Sequence, residues 1–110
     1  MPTREMKAKL KLEGEQQFRK GMREASDAIK VLNSEQKLAQ AQFELTGDKE
    51  QLLADKTEIL KKKIEEQQKA VQTAQKAVDQ LRSKGVEPTN KAMVEWQGKL
   101  NNSTAYLMQL

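Results

Sequence analysis

The chain has no cysteine and no histidine. Without thiols there is no disulfide framework and no thiolate nucleophile. Without imidazole as well, the common zinc sites, the Ser-His-Asp and Cys-His systems and the usual general base near neutral pH are all absent. Aromatic residues are scarce: Phe18, Phe43, Trp96 and Tyr106 are all there are, too few to fill a sandwich or a barrel. No apolar run approaches the ~20 residues that a membrane span needs, and the N-terminus lacks an apolar signal-peptide core. No catalytic, cofactor-binding or metal-ligating residue is therefore expected, and an enzyme is the least favoured class.

What the chain does contain is helix-forming material. Ala, Glu, Lys, Leu and Arg make up half of the 110 residues, the composition of coiled coils and long helices. With 36% hydrophobic residues and a mean hydropathy of −0.87, a thin apolar seam is possible and a thick core is not. The net charge is +4 and the pI about 9.3. Lys61, Lys62 and Lys63 form the one tight basic run, but on a helix they point three ways and make no stripe. Solvated helical surface is preferred over a nucleic-acid patch.

The organising stretch runs from Asp48 to Lys84, free of Pro, Gly and aromatics. Leu53, Leu60, Ile64, Val71, Ala74, Val78 and Leu81, with Thr57 and Gln67 in the gaps, step by threes and fours, the rhythm of a helix offering one seam to another. Upstream, Met6, Ala8, Leu10 and Leu12 alternate with lysines, which predicts a strand over 6–12; these 110 residues offer it no good second strand, so it is expected to pair across a subunit boundary or with a part of the protein outside them. From Glu15 a helical period takes over through Phe18, Met22, Ala25, Ile29, Leu32, Gln36, Ala39 and Phe43. Val31, Leu38 and Leu45 are expected to widen that face. Gly21, inside this helix, marks close approach or local looseness. Glu15–Arg19, Glu58–Lys62 and Glu65–Lys69 are spaced for exposed ion pairs.

Thr46-Gly47-Asp48 supplies a stop and a start. Gly47 suits a left-handed residue past a helix end, and Asp48 with Gln51 fits a capping box. A link this short folds the second helix back along the first. Gln36 and Gln67 occupy seam positions but do not oppose each other in such a hairpin; tolerated polar seam residues are the simpler interpretation, register-fixing against another chain the sharper one. Gly85 and Pro88-Thr89-Asn90 make the second break. Met93, Trp96, Leu100, Ser103, Leu107 and Leu110 then repeat the rhythm. The expected fold is mainly α: a strand over 6–12, a long antiparallel hairpin of helices 15–45 and 48–84, and a third helix over 90–110. All 110 residues form a single coiled-coil region, expected to be a fragment of a longer chain.

Trp96-Gln97-Gly98 spells the WxG triplet of small hairpin proteins secreted by type VII systems, but lies late, inside a helix, where Trp96 serves as a large seam residue. A second likeness covers nearly the whole chain. The alternating strand, Leu12-Glu13-Gly14-Glu15 with Phe18, Ile29-Lys30-Val31-Leu32-Asn33-Ser34-Glu35 and Ala41-Gln42-Phe43, the break at Gly85 and the Trp96-Gln97 helix together resemble the N-terminal region of phage tail tape measure proteins. Gly21 and Gly98 depart from that pattern. The resemblance implies a structural protein of virion assembly, phage- or prophage-encoded. It would set tail length inside the tail tube, with tail-tube protein and tail assembly chaperones as partners. Its place would be the host cytoplasm and then the virion tail. It implies no cofactor. Self-association through the seams and through strand 6–12 is expected as well. The alternatives are a generic coiled-coil adaptor or chaperone, and, less favoured, a nucleic-acid-binding coiled coil.

Overall fold

A computed structural model describes residues 12–110. Three helices account for most of them: α1 (Glu15–Thr46), α2 (Lys49–Ser83) and α3 (Lys91–Gln109). They form a rod of 69 × 20 × 16 Å. α1 packs on α2 and α3 packs on α2. The strand expected over 6–12 lies outside the described residues except for Leu12, which is buried.

Both turns are written in local chemistry. Gly47 adopts φ 69°, and its N–H donates to the Phe43 carbonyl, closing α1. The Asp48 carboxylate then accepts from the Gln51 N–H at 3.1 Å and opens α2. The reciprocal half of the expected capping box does not form: the Gln51 amide donates forward to Asp55 Oδ1 instead. At the far end of α2, Val86 N–H donates to the Leu81 carbonyl and Gly85 N–H to that of Arg82. Gly85 has φ 75°. These are the two bonds of a Schellman motif, and its usual apolar contact is supplied by the buried pair Leu81 and Val86. Asn90 caps α3 by accepting from the Ala92 N–H at 2.9 Å.

The first two helices run antiparallel. Glu13 N–H donates to Gln80 Oε1, Gly21 lies against Thr73, and Lys63 reaches Gln36, so rising numbers in α1 meet falling numbers in α2. A Cβ on Gly21 would stand 3.3 Å from Thr73 Cγ2, so this glycine marks close approach of α1 to α2.

The core lies at the end of the rod away from the Gly47 turn. Ala74, Ala77, Val78 and Leu81 of α2 meet Met93, Trp96 and Leu100 of α3, with Leu12 and Val86 closing the cluster. Phe18 and Met22 of α1 pack against it. Each large apolar side chain buried there is worth about 1.5–3 kcal/mol.

Two sequence expectations are corrected. In the first half of α2 the buried positions are Ile59 and Lys63, whereas Leu53 and Leu60 are exposed. Leu60 and Leu53 sit one heptad and two heptads before Gln67, whose side chain contacts α3; they continue the α3-facing stripe of α2, not the α1-facing one. Val31, Leu38 and Leu45 do not widen the buried face of α1. They are exposed, outside the seam that α1 makes with α2. Of the expected ion pairs, Glu15–Arg19 and Glu58–Lys62 form, while Lys69 pairs with Glu66.

Candidate interaction surface

Chemistry-bearing groups gather in two places. The first is the three-helix end. Trp96 is wholly buried there, with the Phe18 ring edge-on at 6.0 Å between centroids. Arg19 and Lys99 place their cations 5.6 and 5.5 Å from the indole centroid, within reach of its negative face. The indole N–H is buried without an acceptor among the described residues. Arg19 ties the ends of α1 and α3 together: its Nη2 donates to Glu15 at 2.7 Å and to both carboxylate oxygens of Glu95 at 2.9 and 2.7 Å. The hydrogen bonds that Arg19 donates to Glu15 and then to Glu95 hold the guanidinium above its ordinary pKa. A raised pKa contributes stability that is full below the ordinary arginine range and is lost only as pH rises beyond it. The clasp is therefore sensitive to salt, not to physiological pH. It is a cation held between two partly exposed carboxylates, one on its own helix and one on α3.

Below the clasp α1 and α3 diverge over α2. An open cleft of about 300 Å³ lies where the three helices face one another, lined by Met22, Ser26, Ile29, Gln67, Ala70, Asn102, Ser103 and Tyr106. Its floor is apolar and its rim neutral. Gln67 donates to the Ser103 carbonyl at 2.9 Å and fixes α3 lengthwise. Gln36 accepts from Lys63 Nζ at 2.6 Å and does the same for the hairpin. Both seam glutamines thus have partners within the chain. A shifted register would strand one buried polar group in each layer, a cost of about 1–3 kcal/mol apiece.

The second place is the two-helix arm that ends at Gly47. Val31, Leu38 and Leu45, seven residues apart on α1, are 57%, 59% and 89% exposed. Leu53 and Leu60, seven apart on α2, are exposed too, Leu53 at 65%. Leu38 lies beside Glu35, Gln42, Asp55, Glu58 and Lys62, an apolar side chain ringed by both signs of charge. Ordered apolar rows with charged borders are the form that helix-to-helix recognition takes.

No catalytic, cofactor or metal residue was expected from the sequence, and no group of three or more potential metal ligands occurs among the described residues. None of the described helices is long and apolar enough to cross a membrane. The residues that sequence reasoning missed are Ile59, Lys63, Ala70 and Ala77. The signal was present: Ala70, Ala74 and Ala77 follow the same three-four rhythm as the larger residues. They mark a broader face, needed by a helix packed on two sides.

No family model matches the chain, and no curated protein or solved structure matches it either.

Proposed function

We propose that this chain is a structural coiled-coil protein, the N-terminal part of a phage tail tape measure protein, which sets tail length and scaffolds tail-tube assembly. The observation that carries this reading is the rod itself: 69 Å long and at most 20 Å across, built from helices of 32, 35 and 19 residues. A helix advances about 1.5 Å per residue whatever its side chains, so residue count becomes distance, which is what a ruler requires. The resemblance at the Leu12-Glu13-Gly14-Glu15 junction supports the assignment, and the apolar rows on the arm suit contact with tail-tube protein and with assembly chaperones. On this reading the chain performs no catalysis. It works in the host cytoplasm during assembly and then in the virion tail.

Gene context and tail length test the proposal. The gene is expected beside tail-tube and tail-chaperone genes. In-frame removal of whole heptads from its reading frame should shorten tails in electron micrographs in proportion. A gene isolated from any phage cassette, or tails of unchanged length, would overturn it.

One observation favours a second reading, a helical-hairpin adaptor or chaperone. Five large apolar side chains, Val31, Leu38, Leu45, Leu53 and Leu60, stand uncovered on the two-helix arm. Binding of apolar client peptides along the arm, abolished by Leu38→Glu or Leu53→Glu, would support that reading over the ruler.

A further inference from the structure

Helix α1 has two apolar faces, and α2 covers one of them. Val31, Ser34, Leu38, Ala41 and Leu45 follow steps of three and four, and all five are exposed. At ~3.6 residues per turn they stand roughly half a turn around the helix from the buried Ile29, Leu32 and Ala39. The row alternates large and small, with Val31, Leu38 and Leu45 on one edge and Ser34 and Ala41 on the other. Glu35 and Gln42 border the first edge; Lys30, Lys37 and Glu44 border the second.

We propose that this outer row is a self-association site, at which a second copy of the chain docks antiparallel through residues 34–45. In that alignment Leu38 of each copy faces Ala41 of the other, and Leu45 faces Ser34. Every large side chain meets a small one, as knobs-into-holes packing requires. Lys37 of each copy comes beside Glu44 of the other, giving two attractive contacts by symmetry. A parallel alignment also offers an attractive pair, Lys30 with Glu35. It sets Leu45 against Leu45 and Ala41 against Ala41, however. It also brings Glu24 and Asp27, next along the same row, against their own copies. The antiparallel alignment keeps those carboxylates apart and sends the two three-helix ends in opposite directions, where they cannot collide.

The size of the contact sets its strength. The paired segment spans less than two heptads, ~18 Å of helix at ~1.5 Å per residue. It buries well under the ~1,200 Å² typical of stable interfaces. The dimer is therefore weak, forming at high local concentration.

Cross-linking tests it directly, because the chain has no cysteine of its own. Single variants Leu38→Cys and Ala41→Cys lie on an exposed helix face and leave the core untouched. Under mild oxidation at high protein concentration, an equal mixture of the two should give disulfide-linked dimer several-fold faster than either alone. A control variant on the opposite helix, Gln68→Cys, should give only the collisional rate. Sedimentation velocity should show a concentration-dependent rise in mass for the native chain, lost in Leu38→Glu. Lys37→Glu should weaken the association, and Lys37→Glu with Glu44→Lys should restore it. Ala41→Cys cross-linking alone as fast as the mixture would overturn the antiparallel alignment. A mixture no faster than Gln68→Cys, with unchanged mass at the highest concentration, would overturn the site.

Discussion

The two ends of the rod are made of the same two helices and behave as different materials. Around Trp96, α2 is packed on two sides, and Ala74, Ala77, Val78, Leu81 and Trp96 lose all contact with solvent. From residue 40 to residue 58, all of them described, no side chain is buried. Ala39 and Ile59 form the last closed layer before the turn. Composition does not explain the contrast, since leucines are as plentiful on the arm as at the core. Coverage does. A two-helix hairpin can close only the row where its helices touch, and α3 adds the second row that turns a seam into a core. Stability is therefore lodged at one end, while the arm is held by its turn, its cap and its helix propensity.

The largest test of that contrast is Trp96→Ala. It should cost about 3–5 kcal/mol by the usual range for a buried aromatic. α3 should separate from α2, and urea unfolding followed by circular dichroism should lose much of its cooperativity. A loss below about 1 kcal/mol would mean that the arm shares the load, since most buried aromatic truncations cost several times that. Next comes Asp48→Ala, which removes the cap opening α2 and should cost about 1 kcal/mol. Its effect should be local: by hydrogen exchange, amides near residues 49–55 should lose protection while those at 74–81 keep theirs.

The glycines sharpen the comparison with opposite signs. Gly98 faces open space, so Gly98→Ala should stabilise by up to about 1 kcal/mol through helix propensity. Gly21→Ala has the same propensity gain but must displace Thr73, 3.3 Å from the new methyl; thermal melts should show it gaining less than Gly98→Ala. Smallest of all is Leu45→Gln at the arm tip, which should leave dilute-solution stability within about 0.5 kcal/mol, as for surface changes generally. A larger loss in dilute solution would show that the arm is covered after all.

Much of the fold is legible in the residues. Gly47, Asp48, Gly85 and Asn90 act on the backbone next to them, so their roles can be read from a few positions of sequence. Period also sufficed where a helix has one neighbour: Ala25, Ile29, Leu32 and Ala39 are buried as spaced. It failed where the number of neighbours changes along a helix. Leu53 and Leu60 share a heptad row with Gln67, Ala74 and Leu81, and nothing local distinguishes a row that α3 covers from its continuation where α3 is not. The burial of Lys63 was hidden for a related reason. Its partner, Gln36, lies 27 residues away, and only the register of the hairpin brings the two together.

Lys61, Lys62 and Lys63 are one amino acid written three times, yet they are not one kind of amine. The first two are exposed, Lys62 in a surface pair with Glu58, and the third is enclosed in the hairpin with its ammonium held by Gln36. An acylating reagent arriving at this triplet would find two amines at hand and the third withheld until the helices part. The peptide thus carries a built-in reporter of hairpin opening, readable by mass spectrometry from the ratio of modification at neighbouring, chemically identical positions.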